Sequence, residues 1–371
     1  MLVYYLLLVG SLAIGIPLCR LKHGKVIYCG LAGVALFLTA ALREGVGYDY
    51  YMYASWFVDS RYESEFFLIG YKQEKGFLIP MKFLADATED YHVMFVIIAA
   101  VIAAAVMIYI YFYSEKAYLS VFGFLAFGAF FNSMCFMRQM IAASIVLFAI
   151  RYIKKKQFFR FLVLVLFAST FHVSALVMVV FYFLFQIKMN WISLGIYSGL
   201  AVMYFFFSEA AIEFITQYVY TGYQLGGDVE ITNGLGPIYA VFFGILFLLA
   251  FAIRKRLCEK DKFNNVFINI AFFDFFFEVI GAKHAVLSRF AVLFVIPTVI
   301  VLVPKLIEEY TEICREKFGK NSRSIMVSKV AVLAAFAAFS TFVYSYMLVN
   351  NYNGVYPYRT VFTEGAAEDA E

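Results

Sequence analysis

Charge is scarce in this sequence. Lysine, arginine, aspartate and glutamate make up 15% of the 371 residues, against 64% hydrophobic ones. A water-facing domain of this length draws roughly a quarter of its residues from the charged set. The shortage excludes a soluble globular protein and leaves apolar surface that must face lipid. Proline is also rare, with six residues, which leaves little room for linkers. No low-complexity tract or internal repeat is evident, so residues 1–371 read as one membrane domain. The five cysteines, Cys19, Cys29, Cys135, Cys258 and Cys314, have no metal-ligand spacing. Most fall in apolar runs or on the basic side of the chain, which argues against a disulfide framework or a zinc site. The apolar start, MLVYYLLLVGSLAIGIPLC, lacks a basic stretch ahead of it. It reads as a retained first helix with its N-terminus outside the cytoplasm.

What the chain does have is a series of apolar runs. A span takes about 20 apolar residues, fewer where the helix is short or the bilayer thin. Candidate spans are 2–19, 26–42, 91–113, 118–134, 136–152, 157–171, 173–187, 190–208, 235–253, 263–281, 287–306 and 325–349. The expected fold is therefore an all-α polytopic membrane protein of about twelve transmembrane helices. Regions 118–152 and 157–187 each read as two short helices or as one long bent one. With the N-terminus outside, 20 of the 30 lysines and arginines fall on inner segments and nine on outer ones. That asymmetry supports the orientation and places both termini outside. Outer segments are then 43–90, 209–236 and the tail 350–371. The first is too polar to span and reads as two amphipathic helices on the outer surface. The second reads as a mobile flap.

Ionisable residues away from the cytoplasmic loops are costly and ask for a reason. Arg43, Asp49 and Glu74 lie in the first outer loop. Arg138 and Gln139 sit at an outer turn, and His172 at the next. Asp274 and Glu278 share one face of a span, and Arg289 begins the following one. Plainer roles exist for each. Arg43 and Glu44 could anchor at the interface, and Asp49 could cap a helix. Glu74 could pair with Lys72 or Lys75, His172 could be a hydrogen-bonded helix-end histidine, and Asp274 and Glu278 could neutralise a nearby cation. The cluster Tyr48, Tyr50, Tyr51, Tyr53 and Tyr62 reads as an interfacial aromatic belt. Arg138 is the hardest to set aside, because a lipid-facing arginine there costs a few kcal/mol unless it snorkels.

Arginines at an outer boundary suit phosphate oxygens, which their planar fork can grip at two points. A lipid pyrophosphate puts its anionic head at that depth. Arginine would stabilise charge building on the departing pyrophosphate. A nearby carboxylate or histidine could take a proton from an attacking sugar hydroxyl. On this reading Arg43, Arg138, Gln139 and Arg289 bind pyrophosphate, with Arg138 and Arg289 approaching each other. Asp49, Glu74 and His172 are the catalytic candidates, and which of them is the base stays open.

At these residues the sequence resembles the EpsG-type branch of Wzy-like polysaccharide polymerases, from about residue 40 to residue 362. The strings LREGVGYDYYMY, EKGF, MRQMIAASIVLFAIRYIKKKQFFRF, FHVSAL and VYPYRTVF carry the resemblance through their order and spacing. The Arg-x-x-x-Gly-x-Asp-Tyr pattern falls on Arg43, Gly47, Asp49 and Tyr50. Glu-x-Gly-Phe falls on Glu74, Gly76 and Phe77, the Arg-Gln pair on Arg138 and Gln139, and the Phe-His-x-Ser-Ala turn on His172 and Ser174. The resemblance implies a GT-C-like enzyme that joins oligosaccharide repeat units carried on undecaprenyl pyrophosphate, at the outer leaflet of the bacterial plasma membrane. It implies work without a metal or other cofactor, beside a flippase and a chain-length regulator, with no nucleic acid. The outer loops hold no Asp-x-Asp pair, and Glu63, Ser64 and Glu65 come nearest. Other readings are transfer of a single sugar from a polyprenyl phosphate, acyl transfer to a glycan, and a lipid-glycan flippase. Acyl transfer wants a histidine on the inner face, where only His23 is available. A flippase wants polar residues through the membrane depth, where only Asn265, Asn269 and Asp274 lie deeper.

Overall fold

The computed structural model describes residues 1–62, 73–218, 236–281, 285–318 and 322–363. Among these, the regular elements are helices, and the one extended pairing is an isolated antiparallel bridge between Arg43 and Thr360. Every apolar window named above contains helix. Bilayer length is a stricter test. Five helical stretches pass it alone: Gly24–Ala41, His92–Tyr113, Asn264–Gly281, Arg289–Lys317 and Val330–Val349. Two bent pairs, Ala117–Ala126 with Ala129–Cys135 and Ile238–Ala252 with Arg254–Lys260, raise the number to seven. Leu2–Leu18, Phe158–Ser169, Val173–Leu184 and Trp191–Tyr204 are apolar but shorter.

The chain divides into two compact units, Met1–Met178 with Ile296–Glu371, and Val179–Val295. In the first, Gly24–Ala41 packs on His92–Tyr113, Phe158–Ser169 on Met137–Lys154, and Leu2–Leu18 on Ala117–Ala126. Region 118–152 is cut twice. Gly128 takes a left-handed conformation (φ 72°) and bends the first pair by 56°. A second break at Phe136 precedes the helix Met137–Lys154. Further on, Pro304 offers no N–H to the Ile300 carbonyl four residues back, which lies in a π-turn over Thr298–Leu302. The Ser120 hydroxyl donates to the Ile300 carbonyl there at 2.6 Å.

Among the described residues of 43–90 are two helices, Tyr50–Tyr62 and Lys75–Ala87, packed on each other. The tyrosines between 48 and 62 do not form a plain belt. Tyr50 and Tyr53 are buried, whereas Tyr62 is exposed. Buried positions 50, 53, 54, 57 and 60 follow the three-and-four spacing of one helix face. The tail also differs from a free end: residues 353–361 are strapped to 42–48 by backbone hydrogen bonds.

In the second unit Gly236–Ala252 packs on Asn264–Gly281. Phe181, Phe273, Phe277 and Phe294 form an aromatic cluster with centroids 4.7–6.0 Å apart. The deep asparagines serve the backbone. Asn265 and Asn269 both donate to the Ile187 carbonyl, at 2.9 and 3.1 Å, where the chain leaves a helix. Loop 209–236 begins later than the hydropathy suggests, because the helix from Trp191 runs to Tyr218 with a kink at Phe207. EAAIEFITQY contains several good helix formers. Residues 219–235, Glu63 to Lys72, Lys283 and the acidic tail from Glu364 lie outside the described residues.

Candidate active site

The segment Leu42–Asp49 needs close backbone approach before it can present anything. Gly47 has φ 106°, and a Cβ there would sit 2.7 Å from the Met134 carbonyl oxygen. Glu44 N–H donates to Arg359 O at 3.1 Å, Gly47 N–H to Gly354 O at 2.9 Å, and Tyr48 N–H to Asn353 O at 3.1 Å. The Asn353 amide in turn reaches Asn132 Oδ1 at 2.8 Å. Tyr50 and Tyr91 hydroxyls donate to the two oxygens of Glu44, at 2.8 and 3.0 Å. Asp49 comes last in this segment, and its carbonyl accepts the Tyr53 N–H at 3.0 Å.

Arg43 holds this segment from beneath. It is 1% exposed. Its guanidinium donates to Val46 O and Met134 O, each at 3.2 Å, and to Ala40 O. Ala40 and Met134 lie in the last turns of their helices, where orphan carbonyls and the helix dipole favour a cation. Phe95 stacks beneath at 5.0 Å. Burial pulls the Arg43 pKa down to about 10, which leaves it cationic at neutral pH. Arg43 therefore does not join the other arginines at a surface; its donors face backbone carbonyls.

Glu74, Arg138, Gln139 and His172 do come together. Arg138 Nη1 is ion-paired with Glu74 Oε2, the two side chains being 17% and 18% exposed. Glu74 thus takes Arg138 as a partner, a choice the nearby lysines did not suggest. Its other oxygen accepts the Val173 N–H at 2.8 Å. Gly76 lets the two turns meet. Its N–H donates to Thr170 O at 2.8 Å, and a Cβ there would fall 2.5 Å from that oxygen. Beside them His172 Nδ1 lies 2.7 Å from Ser174 Oγ, and Gln139 Nε2 donates to the same hydroxyl at 3.4 Å. Gln139, His172 and Ser174 are all buried.

Two members escape sequence reasoning. Trp56 lies under the Arg138 guanidinium at 5.2 Å, and Arg138 Nε reaches the Tyr53 hydroxyl at 3.4 Å. The Tyr53 phenol is pushed up to about 12, chiefly by burial; Arg138 opposes the shift and Asp49 adds to it. Helical spacing from Tyr50 would have marked Tyr53 as inward-facing, but nothing local names its partner. Arg289, half-buried on Ala285–Pro297, and Asp274, buried on Asn264–Gly281, belong to the second unit.

The arrangement joins a cation on an aromatic platform, a carboxylate and an imidazole from four separate chain segments. The EpsG family model matches residues 26–360. No curated protein matches the chain, and no solved structure matches it.

Proposed function

The chain belongs to the EpsG family, and on that premise we propose that it polymerises lipid-linked oligosaccharide repeat units into a surface polysaccharide. Family membership supports a membrane glycosyltransferase of the polymerase kind. The finer reading is that donor and acceptor both hang from undecaprenyl pyrophosphate and meet at the outer face of the plasma membrane. The four shorter apolar helices and Met137–Lys154 would complete twelve spans of a GT-C-like fold with both termini outside. A flippase supplies the units, and a chain-length regulator acts beside it.

In the reaction, an acceptor hydroxyl oxygen attacks the anomeric carbon of the growing chain. A new carbon–oxygen bond forms, and the bond from that carbon to pyrophosphate breaks. Its electron pair stays on the pyrophosphate oxygen, and the acceptor proton passes to a carboxylate. Arg138 is the residue for the phosphate oxygens, since its fork meets a spreading negative charge in a partly dehydrated place. Glu74 holds that fork before substrate arrives. Asp49, which opens the adjoining helix, is the other carboxylate put forward as base. Arg138 paired to Glu74 beside the His172 turn is the observation that carries this reading.

A strain lacking the gene tests it. Loss of long polymer, with single lipid-linked units accumulating on the outer leaflet, is expected. Units accumulating on the cytoplasmic side would point to a flippase, and units missing one sugar to a single-sugar transferase.

A further inference from the structure

His172 is one of four histidines in the chain, and it stands beside the Arg138–Glu74 pair. It precedes the 3-10 turn Val173–Val177 with an extended backbone, φ −157° and ψ 121°. From there its ring folds back over the turn it caps. Ser174 N–H points at His172 Nδ1 over 3.3 Å, and Ser174 Oγ lies 2.7 Å from the same nitrogen. A backbone N–H can only donate, so the nitrogen it meets carries a lone pair and no proton. The hydroxyl must then donate as well, which leaves Ser174 Oγ free to accept. Gln139 Nε2 donates to that oxygen at 3.4 Å. The three side chains read in one direction, from the Gln139 amide through the Ser174 hydroxyl to His172 Nδ1. All are buried, with Gln139 2%, Ser174 3% and His172 7% exposed.

We propose that Ser174 and Gln139 are positioning residues that hold His172 with its proton on Nε2, so that the ring gives a hydrogen bond in the reaction and does not take a proton. In a neutral imidazole one nitrogen donates and the other accepts, and the partner of one decides the role of the other. With Nδ1 committed as acceptor, Nε2 has an N–H and no lone pair. A group of that kind suits an oxygen on which negative charge grows, as a phosphate oxygen does when a glycosyl–phosphate bond breaks. This last identification rests on the polymerase reading; the tautomer does not. The general base is then one of the carboxylates. Gln139, for its part, acts through Ser174 and is not itself a phosphate ligand.

Two measurements test this. Protein labelled with 15N-histidine, purified in detergent, gives one pair of ring signals per histidine, and a His172→Asn sample identifies those of His172. Protonated Nε2 with bare Nδ1 is expected near neutral pH. Ser174→Ala should shift the pair toward a tautomer mixture, and Ser174→Thr, which keeps the hydroxyl, should restore it. A protonated Nδ1 in the native protein overturns the proposal, and an unchanged spectrum in Ser174→Ala overturns the positioning role of the Ser174 hydroxyl, leaving the backbone N–H alone to set the tautomer. The second measurement is polymer yield in cells with membrane levels matched. A glutamine amide can place an N–H near the Nε2 position, whereas asparagine reaches only the Nδ1 position. His172→Asn should lose about a hundredfold, the scale of one missing donor to a developing oxyanion, and His172→Gln should lose less. Equal and complete loss in both is the result expected of a base, since neither amide accepts a proton, and it overturns the donor role. If cells lacking the gene still make full polymer, the polymerase reading fails, while the nitrogen signals still report on the tautomer.

Discussion

Arg138 reaches back 64 positions to pair with Glu74, whose second oxygen takes a backbone N–H 99 positions further on, at Val173. One carboxylate thus ties the start of the helix Lys75–Ala87 to the start of Met137–Lys154 and to the His172 turn. In the proposed reaction Arg138 meets the phosphate oxygens, and Glu74, Tyr53 and Trp56 hold it in place.

Replacing Arg138 by lysine should separate those roles. Lysine keeps the charge and can still meet Glu74, but it lacks the planar fork. Polymer formation should fall about a hundredfold with the protein still folded and present in the membrane. Polymer of normal length on a gel would make Arg138 an anchor only.

Arg43 should behave in the opposite way. Arg43→Met keeps the apolar stem but strips the donors from Ala40, Val46 and Met134. Each buried carbonyl left unpaired costs about 1–3 kcal/mol. Thermal unfolding in detergent should drop by many degrees. A variant that melts with the native protein yet makes no polymer would return Arg43 to the substrate.

Gly76→Ala tests the contact between the Glu74 and His172 turns. The added methyl meets Thr170 O at 2.5 Å and Thr170 Oγ1 at 2.4 Å, so one turn must move. Overpacking of this kind costs about 1–3 kcal/mol, and here the displacement falls on the ion pair. Gly195→Ala, with nothing within 4 Å of the new methyl, is the control and should be silent. Matching polymer levels in the two variants would show that the contact is dispensable.

The C-terminal strap predicts a sharp boundary for truncation. Ending the chain at Thr363 preserves the hydrogen bonds that the Asn353, Gly354 and Arg359 carbonyls accept from the 42–48 segment; ending it at Val349 removes them. The longer form should make polymer and the shorter form should not, although both insert in the membrane. Activity in the shorter form would mean that Gly47 and Asp49 keep their places unaided.

Topology can be read by labelling single cysteines in intact cells. Ser60 is buried and unsuitable, whereas Tyr62 is 80% exposed and Thr363 is also exposed. Reagents that do not cross the membrane should modify Tyr62→Cys and Thr363→Cys and spare Lys155→Cys. The Arg43–Thr360 bridge requires the first two to agree. Labelling at Lys155→Cys alone would invert the orientation and move the site to the cytoplasmic side.

The sequence by itself determined that this is a helical membrane protein, where its apolar runs lie, and that Glu74, Arg138, Gln139 and His172 deserved to be considered together. Hydropathy and three-and-four periodicity are local properties, and they survive in a linear reading. The tertiary structure alone decided partners. It turned Arg43 inward to the carbonyls at two helix ends, gave Glu74 to Arg138, and placed Tyr53 and Trp56 against the arginine. It also broke one span, because Gly128 interrupts the helix inside the apolar run 118–134. A charge takes the partner that helix packing brings within a few ångströms in a medium too dry to screen it, and that proximity is set by contacts many positions apart in the chain.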